Sequence, residues 1–164
     1  MPPFSNFTSK AKEVIRKTHE LAIERGQNQV NSLHLLAALL WQEDSSLVSM
    51  LDRIEVDTVM LSDYVSESMD GTESGGVISA SYQIYLTPEL VRILDTAAKV
   101  AANMGDEFVS TEHLLLAILE TPNQAHEILN RFRVSKDAGL KVLQEVRAGR
   151  VPETEAPKRL RTIE

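Results

Sequence analysis

The chain contains no cysteine. Disulfides, thiol nucleophiles and cysteine-bound zinc are therefore excluded. Aromatic residues make up only 5%, with a single tryptophan, so a core must be built from Leu, Val, Ile, Ala and Met. The longest apolar run, Leu35–Trp41, is far too short to cross a bilayer. The first ten residues lack the apolar stretch of a signal peptide, and the expected location is the cytoplasm. An excess of positive charge is missing too. The formal net charge is −7, which opposes binding to nucleic acid or to an anionic membrane. There is no G-x-x-x-x-G-K-[ST] phosphate loop, no G-x-G-x-x-G turn and no H-E-x-x-H zinc motif. The histidines, His19, His34, His113 and His126, do not fall at ligand spacing on one helix. Long alternations of Val, Thr and Tyr are also missing, which argues against an all-β fold.

What the chain does have is one stretch written twice. Residues 8–40 superimpose on 87–119 without a gap, at an offset of 79. The identities include Gly26/Gly105, Val30/Val109, His34/His113 and the Leu35-Leu36/Leu114-Leu115 pair. Repetition of this kind means that a helical unit was duplicated and then diverged.

The apolar spacing predicts four helices per unit. Thr8 caps the first, whose stripe is Ala11, Val14, Ile15, Thr18, Leu21 and Ala22, and Gly26 ends it. Ser32 caps a short second helix, apolar nearly all round and hence central. A third covers Ser46–Ile54, with Leu47, Met50, Leu51 and Ile54 inward. Asp57 caps a fourth, with Val59, Met60, Tyr64 and Val65 as its apolar positions. The second unit restarts at Thr87-Pro88-Glu89, which places a cap, a first-turn proline and a first-turn acid in order. Its stripe is Leu90, Ile93, Leu94, Ala97, Ala98, Ala101 and Met104, and Gly105 ends it. Ser110 or Thr111 caps the second central helix. Residues 125–132 and 135–146 supply the last two. With one residue fewer in this copy, Leu51, Arg53 and Val56 align with Leu129, Arg131 and Val134.

The expected architecture is all-α: two four-helix repeats related by a pseudo-twofold axis and packed into one domain, with a groove at or near the seam. Residues 1–7 read as a loose arm, 8–69 as the first repeat and 70–86 as a flexible connector making few contacts. Residues 87–148 read as the second repeat and 149–164 as a linker. A unit of this size is marginal alone.

His34 and His113 occupy equivalent first-turn positions, where an imidazole can pack and hydrogen-bond a neighbouring loop. They are read as structural. Asp106 and Glu112 stand where the first repeat has Gln27 and Leu33. The apolar frame is kept there while the charge differs, so the two surfaces are not equivalent. A plain alternative is that Glu112 favours its helix N-terminus and Asp106 solvates a turn.

At these residues the chain resembles the Clp N-terminal repeat of AAA+ protein-unfolding machines, and specifically the ClpB disaggregase type. The resemblance is carried by Phe7-Thr8 with Ala11, by Tyr85-Leu86-Thr87-Pro88-Glu89-Leu90, and above all by the run from Gly105 through Val109-Ser110-Thr111-Glu112-His113 to Ala117. It covers about residues 4–148, and the segment 157–164 looks like the linker into the family's first ATPase module. What the resemblance implies is a mobile appendage of a hexameric, ATP-driven chaperone that captures unfolded or aggregated polypeptide. It implies a site with Thr8, Asp106 and Glu112 in substrate handling and Val100 among the apolar contacts. ATP and magnesium would belong to modules outside this sequence, so the chain itself is expected to hold no cofactor or metal and to have no enzymatic activity. A DnaK-type chaperone system would be a partner of the full-length protein, and the isolated domain would be a monomer. The alternative is an adaptor- or phosphoarginine-binding domain of a ClpC- or ClpA-type unfoldase. Phosphoarginine readers of the ClpC type carry T-E-H in both repeats, whereas here only Thr111-Glu112-His113 has it and the first copy reads Ser32-Leu33-His34. A stand-alone enzyme is a third reading, and no motif supports it.

Overall fold

Side-chain caps start the helices. A hydroxyl or amide oxygen just before the first turn accepts one of the backbone N–H groups that a helix start leaves unpaired. Thr8 does this for α1 (Ser9–Glu24), accepting from the Ala11 N–H at 3.1 Å. Thr87 does it for α5 (Pro88–Asn103). Asn31 caps α2 (Ser32–Leu40), so the cap sits one residue before the expected Ser32. Ser45 caps α3 (Ser46–Arg53), and Asn123 caps α7 (Gln124–Arg131). The set is completed by α4 (Thr58–Asp70), α6 (Thr111–Glu120) and α8 (Lys136–Ala148). This computed structural model describes residues 6–70 and 84–148. Most of the expected connector, residues 71–83, and the linker 149–164 lie outside the described residues, as do residues 1–5 of the arm.

Helices α1–α4 and α5–α8 form the two repeats. The central helices α2 and α6 are buried on every side from Ser32 to Leu40 and from Thr111 to Leu119. Each is covered by its own repeat and by the other: α2 packs on α1, α4 and α7, and α6 on α5, α8 and α3. The buried stripe of α1 is Ala11, Val14, Ile15, Thr18, Leu21 and Ala22, as its spacing predicts. Gly26 and Gly105 close α1 and α5 at φ +68° and +76°, a conformation glycine adopts without steric cost.

Three expectations are corrected. The arm is not loose at its inner end: Phe7 is 2% exposed and lies in the core. The connector is not idle at its outer end either. Tyr85–Leu86 (β2) pairs in parallel with Gln29–Val30 (β1). These two features are copies of each other. Thr8 N–H donates to Val109 O at 2.9 Å, and Thr87 N–H donates to Val30 O at 2.9 Å. Beyond this shared bond the two bridges differ: Val109 N–H donates to Asn6 O, whereas at the other bridge the lead-in itself donates, Tyr85 N–H to Asn28 O. Each repeat therefore lends its lead-in strand to the other's turn. A two-residue strand has no periodicity to read, so the pattern of apolar residues could not announce it.

The third correction concerns α4. Its buried residues are Leu61, Val65 and Met69, spaced at i, i+4 and i+8. That phase turns Val59 and Met60 to solvent, at 71% and 59% exposure, although both match a helical stripe. Phe7→Ala is expected to lower stability by about 3–5 kcal/mol, the usual cost of an aromatic deletion in a core. Ile23→Ala, at an exposed position of α1, should change it by less than about 0.5 kcal/mol. Urea unfolding of both variants checks this.

Candidate functional site

Each central helix begins at a histidine joint. In the first repeat, Asn31 N–H donates to His34 Nδ1 at 3.0 Å, and the ring's other nitrogen meets Gln27 Oε1 at 2.6 Å. In the second, Ser110 N–H donates to His113 Nδ1 at 2.8 Å, and Nε2 meets Asp106 Oδ2 at 2.7 Å. Because Nδ1 accepts, the ring proton sits on Nε2 and is donated to Gln27 or to Asp106. Both imidazoles are 1% exposed. They are structural, and Asp106 is the acid that orients one of them.

The joints differ in charge and in how they hold the last helix of their repeat. Gln27 Nε2 donates to Met69 O at the end of α4, at 3.1 Å. In the aligned position of α8 stands Arg147, whose guanidinium reaches Asp106 with both terminal nitrogens, at 3.2 and 2.8 Å. The same guanidinium lies 3.5 Å from Glu112 Oε1. Glu112 is fully buried, whereas Asp106 and Arg147 are partly exposed. Partial burial alone would raise the Asp106 carboxyl. Hydrogen bonds from Arg147 and His113, with their charges, outweigh it and hold the carboxyl below its ordinary value near 3.8. His34 moves in the way expected of a buried base. Desolvation, helped by the Arg25 cation, lowers it from 6.5 to about 4.

Thr8 adjoins this cluster through the backbone. It is wholly buried, caps α1, and hydrogen-bonds Val109, which lies between Asp106 and Glu112 in the chain. The structure thus brings Thr8, Asp106 and Glu112 to one region and gives each a role inside the fold. It does not bring Val100 there as a surface residue: Val100 is 8% exposed on the buried side of α5.

A solvent-open groove lies at the seam beside this region. It holds about 250 Å³ and is lined by Asn6, Phe7, Leu86, Val91, Leu94, Asp95 and Ala98. Phe7 and Leu86 are each other's counterparts in the repeat, so the groove straddles the pseudo-twofold axis. It extends along α5 only. The matching positions of α1 are Lys12, Ile15, Arg16 and His19, which are mostly charged or polar. Sequence reading placed a groove at the seam but missed Phe7 and Leu86, since both fall in segments taken as loose. Their signal was the apolar residue just before each capping threonine.

Two outcomes follow. Between pH 6.5 and about 4 the unfolded chain takes up a proton at His34 that the folded chain refuses, so stability should fall as the pH is lowered through that window. The loss attached to Asp106 begins only below about 3.8, where its unfolded carboxyl protonates. Urea midpoints measured against pH should show the first slope, and His34→Gln should flatten it. Arg147→Met removes a cation from beside a buried carboxylate and should cost about 2 kcal/mol or more, measured by the same unfolding.

The comparisons with known proteins agree with this geometry. The family model described as Clp repeat (R) N-terminal domain matches residues 6–132. The chaperone protein ClpB of Clostridium tetani is 27% identical over 92% of this chain, which spans 18% of that protein. The crystal structure of the Hsp104 N-terminal domain from Candida albicans has a TM-score of 0.77 at 23% identity, covering 92% of this chain and 97% of that one. A ClpV N-domain in complex with a VipB peptide has a TM-score of 0.58 at 21% identity, covering 72% and 70%. With two pseudo-twofold repeats, the histidine joints and the family match over most of its length, the chain belongs to the Clp repeat N-terminal domain family found on ClpB-type AAA+ chaperones.

Proposed function

We propose that this domain captures exposed apolar segments of unfolded or aggregated polypeptide for a ClpB-type unfolding machine, and that it does so in the seam groove. The observation that carries this reading is the groove itself: aliphatic and aromatic walls, open to water, on a member of the Clp N-terminal family. Val91 is 48% exposed there. A shallow surface of this kind binds weakly and with little sequence preference. Asp95 supplies an acid at its rim, which favours clients with basic flanks.

In this reading Thr8, Asp106 and Glu112 act through the groove wall. Asp106 and Glu112 are held by Arg147, the turn between them receives the Thr8 N–H, and Thr8 follows Phe7. Loosening any of them would shift Phe7. The domain would then hand its clients to ATP- and magnesium-dependent hexameric modules beyond this sequence, in the cytoplasm and together with a DnaK-type system. A second reading is docking of a defined adaptor peptide, supported by the ClpV neighbour whose solved complex contains a peptide. The phosphoarginine reading fares less well, because Leu33 stands where a second Glu112 would be.

The test is a titration of isotope-labelled domain with a permanently unfolded apolar polypeptide, followed by backbone NMR. Shifts should centre on Phe7, Leu86, Val91 and Leu94. Val91→Ser, which alters an exposed side chain, should weaken binding about three- to tenfold without changing stability. Thr8→Ala should weaken it together with a stability loss of about 1 kcal/mol. Scattered shifts with tight binding of one defined peptide would replace this reading with the adaptor reading.

A further inference from the structure

The two repeats share a fold but not a charge. Residues 41–70 of the first carry eight acids, from Glu43 to Asp70, against the single base Arg53. This stretch alone matches the −7 of the whole chain. The aligned stretch of the second repeat, 119–148, carries four acids and five bases. All eight acids of the first stretch are exposed. Arg25 meets Asp70 at 3.1 Å, and the Lys10 ammonium donates to the Asp44 carbonyl. No ion pair among the described residues involves Asp63 or Glu67.

An apolar feature sits beside Asp63 and Glu67 on α4. Val59 and Met60 stand out from the start of α4. The Trp41 indole N–H donates to Ser62 Oγ, one turn further along that helix, and the ring is 38% exposed. Val59, Asp63 and Glu67 are spaced at i, i+4 and i+8, so they form one outward stripe with the apolar end first. On its other side Trp41 borders a cleft where Glu13 and Glu43 are balanced by Arg16 and Lys17. Arg131 meets α4 on a different flank, over the Tyr64 ring at 5.9 Å. Asp63 and Glu67 thus stand on the outer face of α4 as two exposed carboxylates with no ion pair among the described residues.

We propose that this face is a second docking surface, separate from the seam groove, for a cationic amphipathic polypeptide segment. An aliphatic or aromatic anchor of the partner would cover Trp41, Val59 and Met60, while its lysines or arginines would meet Asp63 and Glu67. Charge complementarity selects this occupant: a neutral apolar segment would leave the carboxylates unmatched, and an acidic one would be repelled.

The sole tryptophan of the chain lies at the site and reports on it. The 164-residue chain is titrated with a short Lys/Leu amphipathic peptide and, separately, with a Glu/Leu peptide of equal apolar content, following Trp41 emission. The Lys/Leu peptide should shift the emission, with an apparent affinity that falls several-fold as salt is raised. The double variant Asp63→Lys/Glu67→Lys should weaken it about tenfold. Val59→Ser/Met60→Ser should also weaken it, and Val91→Ser should leave it unchanged. Equal responses to both peptides, no response of Trp41, or a response lost on Val91→Ser would overturn the proposal, the last by assigning the peptide to the seam groove. Self-association of the free chain through this face, abolished by the double variant, would overturn it as well.

Discussion

Two short helices buried on all sides set the terms for everything around them. A helix start sealed from water cannot leave its N–H groups to solvent, so protein atoms must meet them. In α2 the Asn31 side chain takes the N–H groups of Leu33 and His34, while Glu89 reaches across from α5 to accept from the Ser32 backbone and hydroxyl. The same Ser32 hydroxyl accepts the Ala125 N–H of α7. One cap therefore joins three helices from both repeats. The histidine joints answer the same need one residue earlier, by accepting the N–H of the cap residue itself. Asp106 follows from this: once His113 is fixed, its outer nitrogen needs an acceptor, and a carboxylate there in turn needs a cation.

Much of this could be read without coordinates. The stripes of α1 and α5, the capping threonines and the closing glycines are local signals, each decided by a few neighbouring residues. The divergence of Gln27 from Asp106 was visible too, although it read as a difference between surfaces and the structure makes it a difference between two histidine joints. The cation of the Asp106 joint did not announce itself. Arg147 lies 41 positions away, at the point where apolar spacing fades, and only packing reveals which charges meet. In α4 two stripes compete at helical spacing, one through Val59 and Met60 and one through Leu61, Val65 and Met69. The neighbouring α2 selects the second, and no local rule does so. Phe7 and Leu86 were hidden because a bridge of one or two residues gains its meaning from a strand far off in the chain.

Duplication left the scaffold symmetric and let the surface drift. Where the seam groove runs along α5 it is aliphatic, and the matching side of α1 carries charge. Where α4 carries three acids and no base, its counterpart α8 is nearly balanced, with two acids and three bases, and turns one of those bases, Arg147, inward on its own joint. A twofold scaffold can in this way present two unlike faces, since surface residues are free to change while the joints keep the helices in place.

The exchanged lead-in strands also bear on how the domain is made. During synthesis the first repeat leaves the ribosome with the turn around Val30 still open, because the strand that closes it lies at Tyr85–Leu86. Phe7 must likewise wait for Val109. Neither half can be completed early, and neither can be released alone later. Folding is thereby delayed until most of the chain is present, and the finished domain is bound to open as one cooperative body rather than repeat by repeat.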